Sequence, residues 1–510
     1  VGAPQKDLIP TTVQAVIGAR IDKRPEPERT VLQAAAVIGR EFMVDLLERI
    51  VEMPAQAIRQ ALQRLAAAEL VYEQGPAATG AYAFKHPLTQ EVAYRAQLAD
   101  KRRAVHGKIA ADLEKSLPDA AGAHAGFVAY HWEEAGNAAQ ASQWNVKAAM
   151  WHGTRDPAQA FDSWKRVHRL LKTGPIEGPA KYMLMLAEGQ LINFAWRIGV
   201  TAEEAQPWFD EAIAMARETG DNRAVTLITA AYGRLLGATG SADDYVAKVK
   251  EAMALLQLPR DRSLQVTLTA VLCHAYRLAG LLREALAAND DALAGVGEIS
   301  EADQQTLGFD IGIWLTSMRA QTLVWMGRFD EAQPILDALL APDNGKIDLA
   351  HRVHCHSVYA DIAWFLDDGA LAQLHCHKLT ELADKSGVPY LLAYSKCFDG
   401  LVAMLAHDLA GGRDRLQSAL AYMRLRKAGL ENEVRTLCDL AELEILAEQK
   451  DQAAKHVTQA LEIATRRNAR ASIARAQLLQ AKLDRNVAAI ATILVDPLTP
   501  LALAQRFQKG

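Results

Sequence analysis

The apolar positions of the first 116 residues change period twice. Thr30 to Gly39 is an apolar helical run closed by glycine, and Met43 to Val51 is a second short one. Pro54 opens a third that reaches about Leu70, with Ile58, Leu62 and Leu65 at helical spacing. The pattern then shortens. Leu70 to Glu73 and Ala81 to Phe84 are two β-prone runs around a Gly/Pro-rich loop from Gln74 to Gly80, which predicts a hairpin. Three helices followed by a β-hairpin is the order of a winged helix. After His86-Pro87-Leu88 the helical period returns, with Val92, Leu98, Val105, Ile109 and Leu113 on one stripe until Pro118 and Gly122 break it.

From about residue 124 to 484 no strand is predicted, and helices alternate with small-residue turns. Gly240, Gly280, Gly327, Gly369 and the Gly411-Gly412 pair fall 40, 47, 42 and 42 residues apart, a spacing typical of helical-hairpin repeats. Ala285 follows Gly280 by five residues, and Ala332 follows Gly327 by five. Small residues there let the two helices of a hairpin approach closely. Cys273, Cys355, Cys397 and Cys438 lie 82, 42 and 41 residues apart, as if at equivalent core places, with Trp314 in the skipped one. The expected fold is all-α, a winged-helix element over residues 29–116 followed by a right-handed tetratricopeptide-like solenoid over 117–495. About seven or eight hairpins are expected, with 496–510 as a C-terminal tail.

Composition narrows the function classes. With 50% apolar and 23% charged residues the chain is an ordinary globular one, and 56 basic against 61 acidic side chains leave a net charge of −5. That balance offers nothing to a polyanion, so nucleic acid is not expected as a partner. Five cysteines without a C-x-x-C pair imply thiols in a reducing, cytoplasmic setting. No run approaches the roughly 18 apolar residues of a membrane span. The chain begins at Val1 rather than Met, as if cut from something longer.

Candidate chemistry is sparse. His354-Cys355-His356 and His375-Cys376-His377 suggest a metal site, but residues i and i+2 point to different faces of a helix. If the hairpin turns near Gly369, Cys355 and Cys376 differ in height by about 10 Å at 1.5 Å per residue. Packed or surface residues, and no metal site, are the expectation. No phosphate loop, G-x-S-x-G, H-E-x-x-H or kinase signature occurs, so no catalytic residue is assigned. Gly107-Lys108 and Gly345-Lys346 lack the rest of a phosphate loop. Arg59 and Arg64 on the third helix are a thin footprint for DNA, because Lys and Arg outnumber Asp and Glu only 16 to 14 over residues 1–116. Lys101-Arg102-Arg103, with His106 and Lys108 behind them, is expected to be a solvated face.

Two stretches carry a resemblance. Ile9 to Gln14 through Ala19 to Asp22, then Glu28 to Phe42, resembles the segment after the nucleotide-binding core of bacterial multidomain AAA/STAND-type signalling ATPases. Tyr82-Ala83-Phe84-Lys85-His86-Pro87-Leu88-Thr89-Gln90-Glu91-Val92-Ala93-Tyr94, then Arg102 to His106, is similar to the end of their winged helix. The resemblance covers residues 8 to 116, and the repeats only in architecture. It implies that residues 1–28 are the tail of an ATPase module and connector. It also implies ATP or ADP with Mg in the parent, none of it held by this chain alone. Many such proteins carry a class III adenylate or guanylate cyclase domain first, and the absence of room for a helix-turn-helix after the repeats favours that arrangement here.

In that class a histidine at the end of the winged helix contacts the nucleotide phosphate, and His86 stands at the matching position. The acidic residue that usually follows is Pro87 here, and the alternative is that His86 caps the next helix. The expected function is regulatory. The repeats bind a protein or small-molecule ligand, and the winged helix couples that event to the chain's own upstream ATPase domain. The alternatives are a non-catalytic scaffold and an ATPase-type transcriptional regulator.

Overall fold

The computed structural model describes residues 11–74, 80–116, 121–153, 155–256, 261–301, 303–304, 310–342 and 347–509. Ile9, Pro10, the loop 75–79, Pro118 and the Gly345-Lys346 pair lie outside these. The chain divides into two compact units, Val1–Trp151 with Arg166–Ala180, and His152–Lys165 with Lys181–Gly510.

In the first unit α1 (Thr11–Asp22) and α2 (Glu26–Ile38) precede β1 (Glu41–Met43), α3 (Val44–Ile50) and α4 (Ala55–Ala67). The strands β2 (Val71–Gln74) and β3 (Ala81–Phe84) follow, then α5 (Pro87–Arg95), α6 (Ala99–Ser116), α7 (Ala121–Glu134) and α8 (Ala138–His152). The sheet is antiparallel in the order β1-β3-β2, with Phe42 opposite Tyr82 and Val71 opposite Phe84. Val31, Leu32 and Ala35 of α2 share one core with Ile58, Leu62 and Leu65 of α4 and with Phe42 and Phe84 of the sheet. Strand β1 was not expected. Three residues are too few for alternation to show, and their partners are supplied by β3, about forty positions away in the chain.

The second unit is a solenoid of helical hairpins, eight among the described residues. Their paired helices are Gly178–Ile198 with Ala202–Glu218, Asn222–Thr239 with Ala242–Ala254, and Arg262–Leu278 with Leu282–Ala294. Ile311–Trp325 pairs with Phe329–Leu340, Leu349–Leu366 with Gly369–Ser386, and Pro389–Leu405 with Leu409–Arg426. Glu433–Leu446 with Lys450–Arg466 and Arg470–Leu483 with Val487–Leu494 complete the series.

The marker of the repeat is a left-handed backbone rather than glycine itself. The residue joining the two helices has positive φ at Gly199, Gly280, Gly327, Asp367, His407, Glu448 and Arg485. That conformation stops a helix and reverses the chain. At three of the later turns the next residue caps the second helix: Asp368 accepts from Leu371 N at 2.9 Å, Asp408 from Gly411 N at 2.9 Å and Asn486 from Ala489 N at 3.0 Å. Gly369, Gly411 and Gly412 therefore lie in the first turns of helices, not in the connections as the glycine spacing had suggested.

The small residue five places after the turn persists as Ala285, Ala332, Ala372, Gly412 and Ala453, all buried. A Cβ on Gly412 would stand 2.7 Å from Leu443 Cδ1. The second hairpin inverts the fit. Tyr245 occupies the second helix, and Gly233 and Gly237 on the first make room for its ring; a Cβ on Gly237 would stand 2.6 Å from it.

All five cysteines are buried, and Cys273, Cys355, Cys397 and Cys438 share the first helices, but not at one height, while Cys376 lies in a second helix. Cys397 and Cys438 precede their turn residue by ten positions, Cys355 by twelve and Cys273 by seven. The segment expected as a tail contains the helix Leu501–Lys509, whose Ala502 and Leu503 are buried in the repeat core.

The solenoid meets itself. Lys427 Nζ reaches Glu204 at 3.0 Å across 223 residues, and Arg470 Nη1 reaches Asp243 at 2.8 Å across 227. Arg470 also donates to Ala279 O, and Ala242 N donates to Arg467 O at 2.9 Å. Hairpins one to three thus lie against hairpins six to eight along a seam.

Candidate functional site

The first helices of hairpins one to six face inward and enclose a cavity of about 430 Å³. Its wall is mostly apolar and aromatic, with Met185, Leu268, Trp196, Trp314, Tyr390 and Tyr394 among the lining side chains. Within this wall stand three arginines, Arg197, Arg234 and Arg277, one from each of the first three hairpins.

None of the three is bonded to a carboxylate among the described residues. Arg197 is 6% exposed and donates only to Asn193 O of its own helix, at 3.1 Å. Its guanidinium carbon lies 4.4 Å from the Trp196 ring centroid, and that of Arg234 lies 4.3 Å from the same ring. Arg234 Nη1 and Arg277 Nε are buried and have no hydrogen-bond partner among the described residues. The acids that line the cavity hydrogen-bond to neutral groups rather than to these arginines. Asp221 caps Ala224 N, Asp348 accepts from His351, Arg223 pairs with Asp303, and Glu431 accepts from Tyr394 at 3.4 Å.

The electrostatics follow from that arrangement. Burial pulls the Arg197 pKa down to about 10, with Tyr390 opposing and Arg234 adding to the effect. Burial also lowers Arg277. His274, 7% exposed, is held well below its ordinary value by burial and then by Arg234 and Arg277. His354 is brought down to about 3 by burial and the same Arg277. Both imidazoles are neutral near pH 7, so the fixed charges lining the site are the guanidiniums and the carboxylates of Asp221, Asp348 and Glu431. A mostly apolar cavity with a few convergent polar groups has the character of a small-molecule site.

The residues singled out from sequence lie elsewhere. His86 is exposed and takes the N-cap position of α5, where its carbonyl accepts from Thr89 N at 3.0 Å while its side chain makes no capping bond. Arg59 pairs with Glu48 and Arg64 with Glu28. Of the basic run, Arg103 pairs with Asp100 and Lys108 with Glu52. His106 does not belong to it, being fully buried with Nδ1 2.8 Å from His131 Nδ1, and burial lowers its pKa to about 4.

The His-Cys-His triplets meet through one histidine of each. His356 Nδ1 lies 3.0 Å from His375 Nδ1, and Tyr359 stacks on His375 with centroids 4.0 Å apart. One imidazole Nδ1–H donates to the other's Nδ1 lone pair, so the two Nδ1 atoms are partners of each other. Burial pushes the Cys355 and Cys376 thiols up to about 12, away from the thiolate form.

Sequence reasoning missed the three arginines. Their spacing of 37 and 43 residues, about one repeat each, was the available signal.

No protein-family model and no curated protein sequence matches this chain. Among solved structures, a Signal Transduction ATPase with Numerous Domains (STAND) protein with a tetratricopeptide repeat sensor from Pyrococcus horikoshii is similar over 93% of the chain, at 11% identity and a TM-score of 0.37. The chain spans 63% of that protein's length. A Rap protein complexed with competence and sporulation factor is similar over 72% of this chain and 92% of its own, at 10% identity and a TM-score of 0.39. The apo form of RapI is similar over 69% of this chain and 85% of its own, at 14% identity and a TM-score of 0.29.

Proposed function

We propose that this chain is the regulatory and sensor region of a multidomain signalling ATPase. Its repeats bind a protein or small ligand, and the helix-and-sheet unit couples that event to nucleotide state. The carrying observation is the cavity. Guanidiniums that carry buried, unpartnered N–H groups and bond to no carboxylate among the described residues cost stability, and a protein that needs only a scaffold has no use for them.

The reading of α2 to β3 as a winged helix is supported by element order and by the three-stranded antiparallel sheet. The link to an AAA/STAND-type ATPase rests on the resemblance of residues 8 to 116, and the class III cyclase output on that resemblance alone. A cytoplasmic location goes with both. Among the described residues, no helix is long and apolar enough to cross a membrane. The sequence has no phosphate loop, so ATP or ADP with Mg would be held by the upstream module. From this chain His86 is the group offered to a phosphate, exposed at the start of α5. A DNA-binding role is weakened by the engagement of Arg59 and Arg64 with carboxylates.

The test is ATP turnover by the full-length gene product with and without residues 181–509. Coupling predicts a several-fold change on deletion and a shifted nucleotide affinity in His86→Ala. Unchanged turnover on deletion would leave the scaffold reading in place.

A further inference from the structure

We infer that the interior cavity is the binding site for a compact ligand with an aromatic or apolar body and one anionic head, a carboxylate or phosphate, received by Arg197, Arg234 and Arg277. This rests on the sensor reading and names the chemistry that the sensor takes.

Three observations support it independently. The first is charge. Three guanidiniums from three different hairpins converge on one space, and the carboxylates that share its wall, Asp221, Asp348 and Glu431, bond to neutral groups and to none of the three. Buried cations are ordinarily paired, and a group left unpaired costs stability unless something supplies the opposite charge. The second is the donors. Arg234 Nη1 and Arg277 Nε lack partners, and a planar guanidinium with unsatisfied N–H groups is matched to carboxylate or phosphate oxygens. The third is the wall. Trp196 carries two guanidiniums within 4.4 Å of its centroid and packs on Tyr390 at 5.3 Å, which fixes the arginines in place. Trp314, beside His274 at 5.6 Å, offers an aromatic surface to a ring. At about 430 Å³ the space suits a molecule of drug-like size and is too small for a folded partner.

The probe pair is 8-anilinonaphthalene-1-sulfonate and its uncharged analogue N-phenyl-1-naphthylamine, which share the aromatic body and differ in the anionic head. Fluorescence titration of the whole chain should show saturable binding of the sulfonate, at least tenfold tighter than the neutral dye. Arg234→Gln and Arg277→Gln should each weaken the sulfonate about tenfold and change the neutral dye less than twofold. Arg277→Lys should retain part of the binding, and exposed Arg415→Gln should change neither dye. Competition by 1-naphthaleneacetate against 1-naphthyl phosphate decides which anionic head is preferred.

A second readout needs no ligand. Because a half-buried guanidinium with an unpartnered Nη1 is removed, Arg234→Gln should raise the melting temperature of the empty protein by a few degrees. No saturable sulfonate binding, equal affinity for the two dyes, or sulfonate binding unchanged in the Arg234→Gln/Arg277→Gln double variant overturns the inference. The coupling to ATP turnover is measured separately, so either statement can fail while the other stands.

Discussion

At the scale of single residues, the charges that the fold neutralises contrast with those it leaves bare. Trp364, 1% exposed, lies between two guanidiniums, Arg475 at 3.9 Å and Arg506 at 4.6 Å from its centroid. Both arginines bond to Glu442, and Arg475 also bonds to Asp439 at 2.6 Å. Burial would push Glu442 up, but Arg475 and Arg506 outweigh it and hold the carboxyl below its ordinary value. Glu442→Ala leaves Arg475 with Asp439 at 2.6 Å and Arg506 with Asp367 at 3.7 Å, and should cost about 3 kcal/mol. Urea denaturation checks this, and a loss under about 1 kcal/mol would mean that Asp439 alone suffices.

The imidazole pairs set an acid limit. Burial, first among the causes, holds His106 near 4, His131 near 3, His356 near 3 and His375 near 4. Unfolded histidine titrates near 6.5, so between about pH 6.5 and 3 the unfolded chain binds more protons. Their stabilisation is therefore complete above pH 6.5 and declines as the pH falls through that window. The melting temperature should drop on acidification from pH 7 to 4, and His356→Asn/His375→Asn should flatten the slope. An unchanged slope would place the acid sensitivity elsewhere.

At the scale of the element, close helix approach depends on a few missing side chains. A Cβ at Gly400 would stand 2.5 Å from Leu416 Cγ and 3.2 Å from its backbone nitrogen. Gly400→Ala should destabilise by about 1–3 kcal/mol, whereas the open Gly297 tolerates a methyl group. Thermal melts of the two variants make the comparison. This is also where the limits of sequence lie. The hairpin period was legible because Gly280 and Gly327 mark their turns and Ala285 and Ala332 their close contacts. It blurred from Asp367 onward, because Asp, His, Glu and Arg take over the left-handed position and no residue type announces it. Buried His106 was unreadable as such, since a histidine three places from a basic run carries the same letter inside or out.

At the scale of the whole repeat unit, the cavity exists because the solenoid winds back on itself. Arg197, Arg234 and Arg277 recur one repeat apart, yet they reach one space with Tyr390 and Tyr394 only once hairpins one and six are neighbours. No local pattern encodes that closure. Arg470 ties it down by bonding Asp243 through both terminal nitrogens and Ala279 O through one of them. Arg470→Ala should lower stability by about 1 kcal/mol and speed amide exchange over residues 241–280. Exchange unchanged there would show that the seam holds without it.

The return of the chain to its own surface after 223 to 227 residues also makes the seam a vernier for the interior. Five to six hairpins separate the facing sides, so a tilt too small to see in one of them adds up over the series and emerges as a slip between Glu204 and Lys427. A guest that spreads or tightens the inner wall by a fraction of an ångström per hairpin would be read out there, on the outside of the solenoid, by a pair of exposed charges that never touch it.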